Sequence, residues 1–211
     1  IAEAMNNIGD KGFKLWDEED QFFYDVLNFS DNKTMPLKVR SLVGLIPLFA
    51  VETLEPALLS KVPNFNRRLK WFLNNRPDLC QLISHWTEPG LGKRRLLSLL
   101  RGRRVKCLIK RVLDETEFLS DYGVRSLSKI HKDHPYIFKH DGHDTTVSYS
   151  SGESDSYMFG GNSNWRGPIW LPLNFLIIES LQKFHHYYGN DFKIEYPTGS
   201  NKFITINDAA N

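Results

Sequence analysis

The densest group of side chains suited to binding a sugar lies between Gly160 and Trp170. These eleven residues contain two tryptophans, one arginine and two asparagines, directly after a pair of glycines. Aromatic rings stack on the C–H faces of sugars, and charged or amide side chains hydrogen-bond pairs of hydroxyls. The segment therefore predicts a carbohydrate site in which Asn164, Trp165, Arg166 and Trp170 contact the ligand.

Each of these side chains also has a purely structural interpretation. Asn162 and Asn164 are residues that often cap helices or form turns. Trp170 would belong to the core of the helix that follows it, and Arg166 would tie two loops together. The sequence leaves both interpretations open.

Two other segments carry side chains that would complete such a site. Trp16 and Asp17 lie in an aromatic-rich hairpin with an acidic tip, although an acidic tip is also typical of a turn that is simply solvated. Tyr122 and Arg125 belong to a second turn, where a Tyr-Gly pair followed by arginine would equally form a salt bridge. We predict that all four side chains contact the substrate.

The remaining polar clusters indicate neither a metal site nor an assignable catalytic pair. The four histidines His131, His134, His140 and His143 are spread over a helix end and a hairpin, without the His-Glu-x-x-His spacing of a zinc site. Glu153 and Asp155 lie in a polar loop, where solvation is a simpler role than catalysis. We therefore predict no metal site and leave the catalytic residues unassigned.

The composition is that of one ordinary globular domain. Of the 211 residues, 41% are apolar and 25% charged, and 27 basic side chains stand against 25 acidic ones. A formal charge of +2 gives no overall field that would attract nucleic acid or a membrane. Cys80 and Cys107 provide neither a disulfide framework nor a paired metal motif. The longest nearly apolar stretch, Leu42 to Val51, is too short to cross a bilayer.

Basic residues concentrate between Lys93 and Arg111. Nine of them alternate with leucines and other apolar residues, which predicts an amphipathic helix interrupted at Gly102. The basic face of such a helix is normally just solvated. A surface for nucleic acid or for an anionic membrane is the alternative.

The elements that would position the candidate residues are helices joined by polar loops and small hairpins. The pattern predicts hairpins at 13–26 and 136–149, and helices at 37–59, 64–76 and 168–189. Asp141-Gly142 would form the two-residue turn of the second hairpin. Gly44 and Pro47 would kink the first helix near its start. This organisation favours a mainly α-helical barrel with its functional residues on the loops.

Four segments in order along the chain carry a resemblance to a known enzyme family. They are 15–25, containing Leu-Trp-Asp-Glu-Glu-Asp and Phe-Phe-Tyr-Asp, then 38–49, 118–128 and 160–170. On these segments the chain resembles glycoside hydrolase family 63, the group of processing α-glucosidase I, and especially the branch related to mannosylglycerate hydrolase. The resemblance spans nearly the whole chain. It departs at Gln21, a turn position where we expect glycine.

The resemblance implies a mainly α fold, part of an (α/α)6 toroid with short β-hairpins in its loops. It also implies chemistry without a metal or organic cofactor, in which an acid and a carboxylate roughly 6.5 to 9.5 Å apart invert the anomeric centre. The family places the acid upstream of Trp16 and the base downstream of Trp170, on loops outside residues 1–211. The chain is therefore expected to be an internal fragment of one catalytic domain, with a variable insertion at about 77–112.

These inferences predict an α-glucosidase or related α-glycosidase that acts on oligosaccharides or small glycosides and is inactive as the isolated fragment. A non-catalytic carbohydrate-binding or scaffold protein derived from the same barrel is the alternative. A module that binds polyanions through the 93–111 segment is a weaker one. Reading the gene beyond Ile1 and Asn211 would separate the first two. The sequence leaves open the sugar, its linkage, the compartment and the oligomeric state.

Overall fold

Small antiparallel hairpins make up the β-structure of this protein. The computed structural model describes Met5 and residues 14–30, 33–80, 88–100, 102–140, 142–152 and 168–211. Within these residues, twelve strands form six two-stranded antiparallel sheets. The pairs are β1 (Trp16–Asp17) with β2 (Phe22–Phe23), β3 (Asp25–Asn28) with β4 (Thr34–Leu37), β5 (Val51–Leu54) with β6 (Arg95–Ser98), β7 (Leu119–Ser120) with β8 (Gly123–Val124), β9 (Tyr136–His140) with β10 (His143–Val147), and β11 (Lys193–Glu195) with β12 (Phe203–Thr205). Only β5 and β6 are far apart in the chain.

The helices begin and end at residues with clear local preferences. In the described residues they are α1 (Pro56–Lys61), α2 (Pro63–Asn75), α3 (Pro77–Cys80), α4 (Gly102–Val112), α5 (Leu171–Tyr188) and α6 (Ile206–Ala210), with 3₁₀ helices at Leu42–Phe49, Leu91–Lys93 and Lys129–Lys132. Proline opens each of the first three α-helices, because its fixed φ suits the first helical position. Gly189 ends α5 with a φ of 74°. The Thr205 and Asp208 side chains form a capping box on α6.

One apolar core joins the helices to the N-terminal hairpin. The face of α4 formed by Val105, Leu108 and Ile109 is fully buried, and Leu45 of the first 3₁₀ helix and Phe184 of α5 belong to the same cluster. Burial of each such side chain contributes about 1.5 to 3 kcal/mol. The amphipathic pattern of α4 therefore fixes where the hairpins and α5 can pack.

Gly44 allows the first 3₁₀ helix to lie directly on the N-terminal hairpin. A Cβ atom at this position would overlap the Phe22 ring and the Phe23 carbonyl oxygen. The run Val43-Gly44-Leu45 therefore needs its glycine for close packing. Gly44, where the sequence predicts a kink, is thus the point at which the 3₁₀ helix contacts the hairpin.

The prediction of a mainly α toroid is wrong. In the described residues helices alternate with six separate two-stranded sheets, and the fold is mixed α and β. The predicted helix 37–59 divides into a 3₁₀ helix, the strand β5 and α1. Val51 and Thr53 are β-branched and pair with Ser98 and Leu96, so the ladder to β6 replaces a continuing helix.

The predicted helix over 93–111 is wrong in its first half, because Arg95–Ser98 forms β6 and α4 begins only at Gly102. Four other elements predicted from the pattern are confirmed. The hairpins β1–β2 and β9–β10 and the helices α2 and α5 lie where the periodicity predicts them. Helix α2 starts at Pro63, one residue before the predicted start. The variable insertion at about 77–112 stays a prediction, although its second half contributes β6 and α4 to the core.

Candidate functional site

A surface cavity of about 690 Å³ lies beside the β7–β8 hairpin, the 129–132 helix and the residues that lead into α5. Small-molecule sites have volumes of about 300 to 1,000 Å³. The wall combines three tyrosines with two cations and two carboxylates. These residues are Glu115, Asp121, Tyr122, Arg125, Lys129, Tyr149 and Tyr196. The cavity therefore offers both the aromatic and the hydrogen-bonding surfaces that a neutral sugar needs.

Tyr122 stands at the tip of the β7–β8 turn. Tyr122 is 85% exposed to solvent. The turn is closed by a hydrogen bond of 2.6 Å from the Ser120 hydroxyl to the Gly123 carbonyl, and Gly123 has a φ of 122° that favours glycine. A tight turn thus presents the Tyr122 ring to solvent at the rim of the cavity.

Arg125 fixes the cavity wall through its guanidinium. Nη1 donates a short hydrogen bond to the Leu119 carbonyl and longer ones, each 3.4 Å, to the carbonyls of Glu115 and Glu117. Nε donates to the Tyr149 hydroxyl at 3.2 Å. The side chain therefore ties the 115–119 loop to Tyr149 and orients the tyrosine in the wall.

Lys129, Asp121 and Glu115 present charged groups to solvent. All three residues are exposed, and in the described part of the chain none of their charged groups has an ion pair. Their ammonium and carboxylate groups can donate to and accept from pairs of hydroxyls. Motif-based reasoning missed Lys129, Glu115, Tyr149 and Tyr196 as site residues. Asp121 could have been found, because it directly precedes Tyr122.

Trp16 lies in the core, outside the cavity lining. The residue is 4% exposed, its ring is edge-on to Phe23 at 4.8 Å, and the Arg104 guanidinium lies 4.9 Å from its centroid. A cation above an indole face is a stabilising contact. The structure thus places Trp16 as the packing residue that joins β1 to α4.

Asp17 closes the β1–β2 turn. Its Oδ1 accepts the backbone N–H groups of Glu19 at 3.0 Å and Asp20 at 2.8 Å, and its Oδ2 lies 2.8 Å from Lys38 Nζ. Partial burial acts to raise the pKa of Asp17, but these hydrogen bonds and the Lys38 charge outweigh it and keep the pKa below 3.8. Asp17 is therefore ionised and engaged in the turn, outside the cavity lining.

A partly buried ion cluster anchors the same hairpin to α4. Arg40 donates to Asp20 Oδ1 at 2.8 Å and to Glu117 Oε1 at 3.3 Å. Arg111 of α4 makes short contacts with Glu117 Oε1 and with the Asp20 carbonyl. Burial acts to raise the pKa of Asp20, yet Lys38 and Arg40 hold it below its usual 3.8. Glu117 is 7% exposed, and both guanidiniums contact its Oε1.

The fourth sequence segment is only partly described. Asn164, Trp165 and Arg166, together with Asn162, Glu153 and Asp155, lie outside the described residues. Trp170 is half-buried at the cap of α5, and its carbonyl accepts the N–H of Asn174 at 3.0 Å. It does not line the cavity, whereas the neighbouring Ile169 does. The structure thus brings Tyr122 and Arg125 together in the cavity wall, whereas Trp16, Asp17 and Trp170 are not among its lining residues.

His131 is a structural residue of the interior. Its Nε2 accepts the N–H of Arg40 at 2.9 Å, and its Nδ1 lies 3.0 Å from the His134 carbonyl. Burial lowers the pKa of His131 below 6.5. Among the described residues, no group of three or more His, Cys, Asp or Glu side chains is arranged to hold a metal ion. None of the helices described here has the length and apolar character needed to cross a membrane.

Comparison with known proteins identifies the class. Residues 95–196, which include every lining residue of the cavity, match the model of the glycosyl hydrolase family 63 C-terminal domain. The chain is also 35% identical over 78 residues to a probable mannosyl-oligosaccharide glucosidase of Schizosaccharomyces pombe, a match covering 37% of this chain and 7% of that protein. These two matches support an assignment to glycosyl hydrolase family 63, and the family resemblance seen in the sequence is confirmed.

A second relative is more similar but carries no functional description. The chain is 51% identical over 197 residues to an uncharacterized protein of Saccharomyces cerevisiae, a match covering 93% of this chain and 18% of that protein. This chain therefore spans less than a fifth of the length of either relative. No solved structure matches it significantly.

Proposed function

We propose that this chain contributes part of the sugar-binding wall of an inverting α-glycosidase that acts on oligosaccharides or small glycosides. The family assignment supports glycosidic chemistry, and the name of the Schizosaccharomyces pombe relative supports an oligosaccharide as substrate. The acid and the base are supplied by segments outside residues 1–211. No cofactor takes part in this proposal, because inverting hydrolysis needs only two carboxyl groups and water.

The observation that carries the proposal is the wall that joins Tyr122 to Tyr149 through Arg125. Tyr122 offers an exposed ring for stacking, and the Arg125–Tyr149 contact of 3.2 Å holds a second ring in the same cavity. Lys129 and Asp121 add one cation and one carboxylate with free hydrogen-bonding capacity. This combination recognises ring faces and hydroxyl pairs, the two features common to all pyranoses.

Six further residues complete the proposal from the sequence. Sugar contact by Asn164, Trp165 and Arg166 is proposed from their residue types and from the family resemblance alone. Direct sugar contact by Trp16, Asp17 and Trp170 stays a prediction from the resemblance, and would require contacts other than those of this cavity. The contribution of Tyr122 to sugar binding can be tested without assigning a role to these residues.

Sugar binding is measured by saturation-transfer NMR with an α-linked glucose oligosaccharide on residues 1–211. Removal of one stacking ring by Tyr122→Ala should weaken the affinity by roughly threefold to tenfold. The control is Trp71→Ala, which removes an exposed aromatic ring elsewhere. Equal affinities for the Tyr122→Ala variant and the unchanged chain would refute the proposed wall.

Catalysis is tested separately with an α-glucoside substrate. We expect no hydrolysis by residues 1–211, because loss of either carboxylate removes proton transfer or water activation. A full-length relative that contains this region should hydrolyse the same substrate. A comparable rate for the isolated chain would show that its own carboxylates perform the reaction.

A non-catalytic sugar-binding or scaffold role is the second candidate. The observation in its favour is the exposure of Glu115 and Asp121, the two carboxylates of the cavity wall. The general acid of a glycosidase normally sits in a low-dielectric environment, which neither residue has here. A full-length protein that binds the oligosaccharide without cleaving it would establish this second function.

A further inference from the structure

The segment from Pro56 to Arg76, here called the basic helical segment, packs loosely on the rest of the protein. It comprises α1, α2 and the turn between them, and neither helix contains a single buried residue. Four large apolar residues of the segment are exposed: Leu58, Val62, Phe65 and Trp71. Trp71 is 61% exposed. Such a concentration of uncovered apolar side chains marks a binding surface.

The charge of this segment is entirely of one sign. Residues 56–76 contain five basic residues and no acidic one: Lys61, Arg67, Arg68, Lys70 and Arg76. Arg76 pairs with Asp78 at 2.7 Å. The other four have no ion pair with any described residue, and Arg67 donates only to the Asn64 side chain at 3.1 Å. Four cations are therefore available to an anionic partner.

Cations and the indole ring share the outer face of α2. Trp71 follows Arg67 by four residues and Arg68 by three, so all three side chains project from adjacent positions on the helix surface. Lys70 follows Arg67 by three and extends the same face. The opposite face, with Leu69, is half-buried against the protein. The exposed face thus presents a tryptophan flanked by positive charges.

We propose that the basic helical segment binds the surface of a bilayer that contains anionic phospholipids. Four to eight basic residues on a helix are attracted to anionic headgroups, and tryptophan favours the interface between headgroups and acyl chains. Leu58 and Val62 are exposed in the same segment as the cations. They favour a lipid surface over nucleic acid, because aliphatic side chains can enter the acyl boundary but gain little from phosphates or bases. The segment lies along the surface and does not cross it.

The test is co-sedimentation of the full 211-residue chain with vesicles. One set contains phosphatidylcholine alone, and the other contains phosphatidylcholine mixed with phosphatidylserine. We expect binding to the mixed vesicles that weakens at high salt, and little binding to phosphatidylcholine alone. Each cation near the surface contributes about a fivefold increase in partitioning, so the triple change Arg67→Ala, Arg68→Ala and Lys70→Ala should reduce it on the order of a hundredfold.

Two further variants separate the lipid contact from general charge effects. Trp71→Ala should reduce partitioning into the mixed vesicles by about tenfold. The matched control changes three exposed lysines outside the segment, Lys132→Ala, Lys193→Ala and Lys202→Ala, and should reduce it by less than about threefold. All affected positions are exposed, so circular dichroism should show an unchanged fold.

Three outcomes would overturn the proposal. The first is the absence of binding to the mixed vesicles, and the second is an equal loss in the control and in the segment variant. The third is binding to single-stranded nucleic acid that depends on Arg67 and Arg68 while the vesicles are not bound. That last result would identify the partner as nucleic acid.

Discussion

The side-chain amide of Asn174 holds both backbone polar groups of Val124. Its Oδ1 accepts the Val124 N–H at 2.6 Å, and its Nδ2 donates to the Val124 carbonyl at 3.0 Å. Asn174 lies in the first turn of α5, and Val124 lies in β8 directly after the turn that carries Tyr122. The pair therefore fixes the Tyr122 turn to the longest helix of the described structure.

Removal of the Asn174 amide should loosen this turn. We expect Asn174→Ala to cost about 2 to 3 kcal/mol of unfolding free energy, because it leaves two partly buried backbone groups of Val124 without partners. Urea denaturation measures the loss, with Asn190→Ala as the exposed control. Sugar affinity should fall in parallel, since Tyr122 loses its fixed position. Equal stabilities of the two variants would contradict the role assigned to Asn174.

Substitutions at Arg125 and at Lys129 should distinguish a residue that stabilises the fold from one that only binds the sugar. Arg125→Lys removes the hydrogen bonds to the loop carbonyls and to Tyr149, and should cost about 2 kcal/mol of stability together with sugar affinity. Lys129→Ala should change stability by less than about 0.5 kcal/mol, because its ammonium group is exposed and has no partner among the residues that the structure describes. It should nevertheless weaken sugar binding. Denaturation and NMR titration of both variants test this contrast, and a destabilised Lys129→Ala would contradict it.

His131 should make the stability depend on pH near neutrality. Burial lowers its pKa in the folded protein below the 6.5 of the unfolded chain. Above 6.5 neither state takes the proton, and below 6.5 the unfolded chain takes it more readily, so the unfolding free energy falls as the pH drops below about 6.5. His131→Gln, which keeps an acceptor for the Arg40 N–H, should lack this step. Urea denaturation at several pH values, with the exposed His143→Gln as control, measures the difference.

Gln21 is a backbone position where a single change should stabilise the protein. It has a φ of 51°, in the left-handed region that favours glycine. Gln21→Gly removes the steric cost of that conformation and should raise the unfolding free energy by about 1 kcal/mol. Thermal unfolding measures the gain, and Gln21→Ala, which retains a Cβ, should show none. A destabilised glycine variant would show that the Gln21 side chain stabilises the turn.

Local patterns predicted much of the secondary structure and part of the site. The Asp141-Gly142 turn, the α5 periodicity and the prediction that glycine suits position 21 all depend on neighbouring residues, and each agrees with the structure. Tyr122 and Arg125 were predicted from one short motif. They lie together because that motif is itself a single tight turn.

Long-range pairing explains the errors. The strand at Val51–Leu54 forms only because Arg95–Ser98 pairs with it, about forty residues later in the chain. Tyr149 reaches the cavity through a hydrogen bond from its N–H to the His131 carbonyl, and Tyr196 reaches it from beyond α5. Periodicity carries no information about such contacts. The expected mainly α toroid failed for the same reason, because neither the periodicity nor the family resemblance shows the strand pairings that make the fold mixed.

The contacts of Glu117 decide how far the protein can be shortened, because some of its partners lie outside the residues that match the family. A gene trimmed to residues 95–196 would encode every residue that lines the cavity, yet it would discard Asp20 and Arg40. Glu117 would then lose the Arg40 guanidinium and Arg111 would lose the Asp20 carbonyl, and loss of partners is costly for buried charges. The stretch that matches the family is thus smaller than the unit that folds, and expression vectors designed for this protein should begin upstream of the N-terminal hairpin.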